Sequence, residues 1–235
     1  GAAQGGGSLV VTAAQDHITT ADTITGTTTA GTAANTLTIT TGASASALVA
    51  GDLDKITKMN TIQTSGNNAF SITTHANNVA NGDDLAINAS SLTSANLTFD
   101  ASAETDGGTF TLTAGGGADT ITLGTGADTI KFANGKLTTA DTVNGGATGA
   151  NTLKFTNSTT LTDADLTNVT NIQTITLDDL SNNLILAAGA EAMGAGVVTV
   201  TTGAGNDSVT VEAGYNSGTL TVNLGAGDDT VNGAA

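Results

Sequence analysis

Short runs of alternating apolar and small polar residues recur along the chain, as in Leu37-Thr-Ile39, Phe110-Thr-Leu112, Val198-Thr-Val200 and Leu220-Thr-Val222. A period of two with β-branched and aromatic side chains predicts strands that bury one face. The runs are bounded by Gly, Asn and Asp, and they are too short for ordinary helices. Their frequent return predicts a coil at each repeat, so a stacked parallel solenoid fits better than a sandwich. In such a fold small side chains fill a narrow interior, Asn and Thr stack at corners, and each coil covers the hydrogen-bonding edge of the next. The pairs Asn67-Asn68, Asn77-Asn78 and Asn182-Asn183 suit either such corners or solvated loops. Residues 47–59 and 161–169 hold helix-like spacing, and each is expected to form a loop or a single helical turn capping a strand. The second opens with Thr162 as an N-cap, followed by Asp163 and Asp165 in a first turn.

Self-comparison finds a gapless alignment of residues 108–146 with 196–234, at an offset of 88 throughout. Asp119 falls on Asp207, and Asp141 on Asp229. Looser echoes relate Ala34-Asn-Thr-Leu-Thr-Ile39 to Ala150-Asn-Thr-Leu-Lys-Phe155, and Met59-Asn-Thr-Ile-Gln-Thr64 to Thr170-Asn-Ile-Gln-Thr-Ile175. Asp22-Thr-Ile-Thr-Gly26 matches both Asp141-Thr-Val-Asn-Gly145 and Asp229-Thr-Val-Asn-Gly233. We divide the chain into a first module, 1–140, and a second, 141–235. Both read as a segment of a longer repeating protein, because a third copy begins near the end; the missing initiating Met and signal peptide are expected either to have been removed or to mark an internal piece.

The module carries a tandem, Gly115-Gly-Gly117-Ala-Asp119-Thr-Ile-Thr-Leu123 followed by Gly124-Thr-Gly126-Ala-Asp128-Thr-Ile-Lys-Phe132. Two glycines two apart, an aspartate two further on and then a strand is a turn-plus-strand period with a mechanism. The glycines let the backbone turn tightly and aim carbonyl oxygens inward, and the carboxylate adds charge. A hard cation with six to eight oxygen ligands needs both. The signal returns at Gly203-Ala-Gly205-Asn-Asp207 and Gly225-Ala-Gly227-Asp228-Asp229.

On these turns the chain resembles the RTX calcium-binding repeats of secreted Gram-negative proteins. It is also similar to bacterial S-layer proteins, in which such repeats alternate with Thr-rich solenoid. Here Asp141-Thr-Val-Asn-Gly-Gly146 precedes Asn151-Thr-Leu-Lys-Phe155 and Asn171-Ile-Gln-Thr-Ile-Thr-Leu177, with Gln173 where that family often has Glu. The resemblance implies a right-handed, mainly parallel β-solenoid with calcium as cofactor. It also implies same-edge turns about eighteen residues apart that share an ion, so consecutive units lie on opposite edges. Asp119 and Asp128 are then not expected to share one. Asp207 and Asp229, 22 apart, make the best pair, with Asp228 and the carbonyls of Gly203, Gly205, Gly225 and Gly227 completing a shell. Asp119 has its counterpart in Asp141, but Lys136-Leu-Thr-Thr-Ala140 lacks the glycines, and Asp128 is replaced in the second copy by Asn216. The plainer alternative is that these aspartates bond only their own turn's backbone. If the resemblance holds, low cytosolic calcium leaves the chain loose for export, and external calcium folds it through sites with dissociation constants of roughly 10⁻⁴ to 10⁻³ M.

Charge changes the picture in the same direction. With 21 acidic residues against five lysines and a net charge of −16, attraction to nucleic acid or to an anionic membrane is disfavoured and divalent cations are favoured. A soluble acidic surface is the alternative reading. The absence of cysteine excludes disulfides and thiolate metal sites, and no apolar run is long enough for a transmembrane helix. Catalysis finds little support: two histidines, His17 and His75, read as turn residues, and no arginine or tryptophan is present to build anion clamps or sugar platforms. The expected function is therefore a structural subunit of an extracellular surface layer whose partners are calcium and other copies of itself, with cell-surface polysaccharide a possible further partner. A secreted adhesin is the main alternative. Thr-x-Thr triplets at Thr36, Thr109, Thr199 and Thr219 also invite an ice-binding reading, but along the sequence they recur irregularly.

Overall fold

The computed structural model describes residues 7–27, 34–43 and 46–233. Its strands are parallel throughout and stack into a β-solenoid of about nine turns. One sheet runs the whole length, with ten strands among the described residues, from Val10–Ala14 to Thr219–Asn223. It passes without a break from Thr129–Phe132 to Thr152–Phe155, across the boundary between the two modules read from sequence. The opposite wall is built in sections: a two-strand piece, a five-stranded sheet from Phe70–Thr73 to Val169–Thr170, then a four-stranded sheet from Thr160–Leu161 to Thr230–Gly233.

Alternation does what the pattern predicts. In Thr109–Thr113 the inward Phe110 and Leu112 are buried while the threonines stay half-exposed, and Thr152–Phe155 repeats this with Leu153 and Phe155. All five phenylalanines are fully buried, with Phe132 stacked in register on Phe155 and Phe99 meeting Phe110 edge-on at 5.6 Å. One apolar core extends from Ile18 to Val209.

The coil length varies. Register partners are 18 residues apart at Thr111 and Thr129 but 26 apart at Val10 and Thr36, so the nine-residue period of the tandem holds for a single coil. Longer coils absorb their extra residues in loops or helical turns at the corners, as at Ala50–Leu53 and Asp163–Leu166. In the second, Asp165 accepts hydrogen bonds from the Thr162 N–H at 3.0 Å and its hydroxyl at 2.7 Å, the expected cap. The helix Ala188–Met193 is not announced by the sequence pattern. Its first turn sits on Asp163, whose carboxylate accepts three N–H groups, from Ala187, Gly189 and Ala190. No helix among the described residues is long and apolar enough to cross a membrane.

Register also corrects the impression of irregular threonines. On the outer face of the long sheet, Thr36, Thr61, Thr111, Thr129, Thr152, Thr174, Thr199 and Thr221 fall in one row, interrupted only by Ala86.

Candidate functional site

The residue just before a strand is where one coil is tied to the next. At this position a side-chain oxygen accepts the N–H of the matching residue in the preceding coil. Asn35 accepts from Leu9 at 3.1 Å, Asn60 from Asn35 at 2.8 Å, Asn151 from Asp128 at 2.9 Å, Gln173 from Asn151 at 2.9 Å and Asn182 from Thr159 at 2.9 Å. The aspartates of the Gly-Asp turns occupy the same position. Asp119 accepts from Leu97 at 2.8 Å, Asp128 from Phe110 at 2.7 Å, Asp141 from Asp119 at 2.7 Å, Asp207 from Asn182 at 2.8 Å and Asp229 from Asp207 at 2.9 Å. These acids therefore bond the backbone of the coil below. Asp141 also bonds its own turn, at Thr138.

Asp119 and Asp128 lie on opposite edges, since Asp119 leads into the five-stranded sheet and Asp128 into the long one. The turns 203–207 and 225–229 stack directly, joined by a parallel bridge between Ala204 and Ala226 and by the bond from Gly205 N–H to the Ala226 carbonyl at 2.8 Å. Asp207 and Asp229 do not converge, however: Asp229 reaches back to Asp207, while Asp207 reaches back to Asn182. Asp228 is exposed and donates its N–H to Asn206. Carbonyl oxygens of each lower coil point along the axis at the glycines above. Those of Gly203 and Gly205 face Gly225 and Gly227, those of Leu92 and Ala95 face Gly115 and Gly117, and those of Glu104 and Gly108 face Gly124 and Gly126. A Cβ at Gly225 would overlap the Gly203 oxygen, which is why glycine is needed there.

The amides and the carboxylates then part ways. In the three buried asparagines the second polar atom is a donor, and it finds a carbonyl: Asn35 Nδ2 donates to Lys58 at 2.9 Å, Asn151 Nδ2 to Asn171 at 2.9 Å, and Asn182 Nδ2 to Leu180. The second oxygen of Asp119, Asp128 and Asp207 is buried and has no hydrogen-bond partner. All three side chains are at most 2 % exposed. Burial pushes the Asp119 carboxyl up to about 6, with the Leu97 N–H opposing, the Asp141 charge adding and the Gly115 N–H of its own turn opposing. Asp128 is likewise raised to about 6 by burial, with the Asp84 and Glu104 charges adding and the Phe110 N–H opposing.

Such a buried oxygen lacks a donor, and it can be satisfied by a proton or by a cation. Among the described residues no three His, Cys, Asp or Glu side chains converge. The donor set on offer is one or two carboxylates with carbonyls, which suits a hard oxygen-loving cation and not a soft one. His17 is exposed and His75 sits in a turn, its Nδ1 accepting the Asn77 N–H. Asn182 stands in a ladder at a corner and Asp163 in the first turn after Thr162, both as the sequence reading has them. Missed were the other amides as ladder members, the bonds of Asp163 to the helix Ala188–Met193, and Glu104. Compared with known proteins, the chain matches no family model, and no curated protein or solved structure resembles it significantly.

Proposed function

We propose that this chain is a structural segment of an extracellular bacterial assembly of the RTX or surface-layer kind, folded by calcium held between its coils. The observation that carries the reading is the set of three buried, unpartnered carboxylate oxygens on Asp119, Asp128 and Asp207, each in a glycine turn facing the carbonyls of the coil below. Calcium takes six to eight oxygens in adaptable geometry, and a carboxylate, several carbonyls and water supply them. Bound only in the folded state, the ion stabilises that state by mass action, so calcium outside the cell acts as a folding signal. The net charge of −16 adds to the effect, since each ion also relieves self-repulsion. No residue is assigned a catalytic role.

The test is a calcium titration followed by far-UV circular dichroism and light scattering, with magnesium as control. A calcium-selective gain of β structure, then growth in particle size, is the expected result. A chain fully folded in chelator and indifferent to calcium would overturn the reading. A second reading has one specific observation in its favour. The threonine row on the long sheet repeats at the strand spacing of about 4.8 Å, a regular array of the kind that would suit an adhesin on an ordered surface such as ice or crystalline polysaccharide. Retention on cellulose, or thermal hysteresis, would favour it over self-assembly.

A further inference from the structure

We propose that the divalent cation at the Asp128 turn lies between the turn 104–108 and the turn 124–128, held jointly by Glu104 of the lower coil and Asp128 of the upper. Glu104 lies outside every glycine-aspartate repeat, and its glycines, Gly107 and Gly108, follow the acid instead of preceding it. Yet it is 1 % exposed. One oxygen accepts the Asp106 N–H at 2.8 Å and the Gly108 N–H at 3.3 Å; the other is buried without a partner. The Asp128 carboxylate, also 1 % exposed, is anchored two residues further on by the Phe110 N–H, and its second oxygen is unpartnered too. Two half-satisfied carboxylates thus share one corner of the shortest coil.

Main chain of the two turns packs closely at this corner. Thr125 donates its N–H to the Glu104 carbonyl at 3.2 Å, and Gly126 packs against the Gly108 carbonyl, so close that no larger residue fits. Asp106, which accepts the Gly108 N–H at 3.2 Å, adds its charge to Glu104, and Glu104 adds its own to Asp128; buried carboxylates under such like charge do not all stay ionised without a counter-charge. A proton on each, or one cation between them, resolves the conflict, and carbonyls at hand favour the cation. Calcium fits better than magnesium, which demands near-octahedral geometry and keeps its water. The inference deepens the calcium reading of the turns. It differs in one respect: the ligand pair comes from two dissimilar turns, so this site closes even though no repeat motif precedes 124–128 on its own edge.

The test counts calcium ions per chain by native mass spectrometry on the wild type, Glu104→Gln and Asp207→Asn, with melting of each in chelator and in millimolar calcium. Glu104→Gln is expected to bind one ion fewer than wild type, to melt higher than wild type in chelator at pH 7, and to gain less from calcium. A wild type that binds several ions, with the count unchanged in Glu104→Gln, overturns this site and leaves the repeat turns intact. A wild type that binds one ion, lost in Glu104→Gln and kept in Asp207→Asn, supports this site while the repeat reading fails. No bound calcium at all overturns both. Glu104→Gln melting below wild type by the same interval in both media assigns Glu104 to backbone bonding alone, and overturns the proposal.

Discussion

Two regions of the solenoid solve the same problem with different atoms. Around Asn35 and Asn60, and again around Asn151 and Gln173, amides tie coil to coil, and the amino groups of the buried Asn35 and Asn151 close on the carbonyls of Lys58 and Asn171. Lys58 and Asn171 even share the same left-handed backbone, with φ of 57° in both. Around Asp119, Asp128 and Asp207 the tie to the lower coil is the same, but an oxygen stands where the amino group would be, and it has no donor. The amide region is complete as a polypeptide. The acid region is complete only with a proton or an ion. A one-atom change, nitrogen to oxygen, separates a self-sufficient joint from a conditional one.

The largest expected effect comes from breaking the complete joint. Asn151→Ala removes two bonds from a residue 1 % exposed, leaving the Asp128 N–H and the Asn171 carbonyl unpaired. Asp128 is buried and Asn171 exposed, so one buried group is left unsatisfied and the loss should be about 1–3 kcal/mol, measured by urea denaturation. It should be equal in calcium and in chelator, and a loss seen only in calcium would mean the amide joints are conditional as well.

Converting a conditional joint into a complete one should have the opposite sign. Asp128→Asn keeps the bond to the Phe110 N–H and places a donor where the unpartnered oxygen stands. In chelator at neutral pH it should stabilise the chain by about 1–2 kcal/mol, the cost of leaving such a group unpaired. In calcium the gain should shrink or reverse. Destabilisation in both media would show that the second oxygen already has its partner.

Much of this comparison can be read in the sequence, and the reasons for the rest are physical. Alternation such as Phe110-Thr-Leu112 announces strands because burial follows the pleat, and the tandem spacing puts Asp119 and Asp128 on opposite edges. The 88-residue repeat survives as well, but Asp119 leads into the five-stranded sheet and Asp207 into the four-stranded one, a handover in the Thr160–Thr170 coil that local patterns do not encode. The threonine row is hidden for a related reason: coils of 18 to 26 residues scatter in sequence what the ladder aligns in space. Direction was hidden too. Spacing brings turns 203–207 and 225–229 together, but which neighbour a carboxylate bonds depends on side-chain geometry, and both acids reach backward.

Acid should act on the conditional joints and spare the others. Burial holds Asp119 and Asp128 near 6, above their unfolded value of about 3.9, so the folded state binds these protons more tightly than the unfolded chain does. In chelator the two groups contribute stability that is fully present below about pH 4 and is lost as pH rises through 6. The melting temperature of the metal-free chain should therefore fall across that window, and calcium should cancel the fall by replacing the proton. In the variant Asp119→Asn, Asp128→Asn the slope should flatten. An unchanged slope would locate the titration elsewhere among the acids.

The smallest effect belongs to an aspartate that needs no ion. Asp165 accepts the N–H and the hydroxyl of Thr162 within its own helical turn, as Asp52 accepts the Val49 N–H in the matching turn of the first half. Asp165→Ala removes a helix cap, which costs about 1 kcal/mol. Donors inside the turn already satisfy the bonded oxygen, so the cost should be the same with and without calcium, read as a parallel shift of the two urea curves. The contrast with Asp128→Asn is the point of measuring it. If this carboxylate also proved calcium-dependent, the division would lie between acids and amides in general, through net charge, and not between carboxylates with and without a donor at the second oxygen.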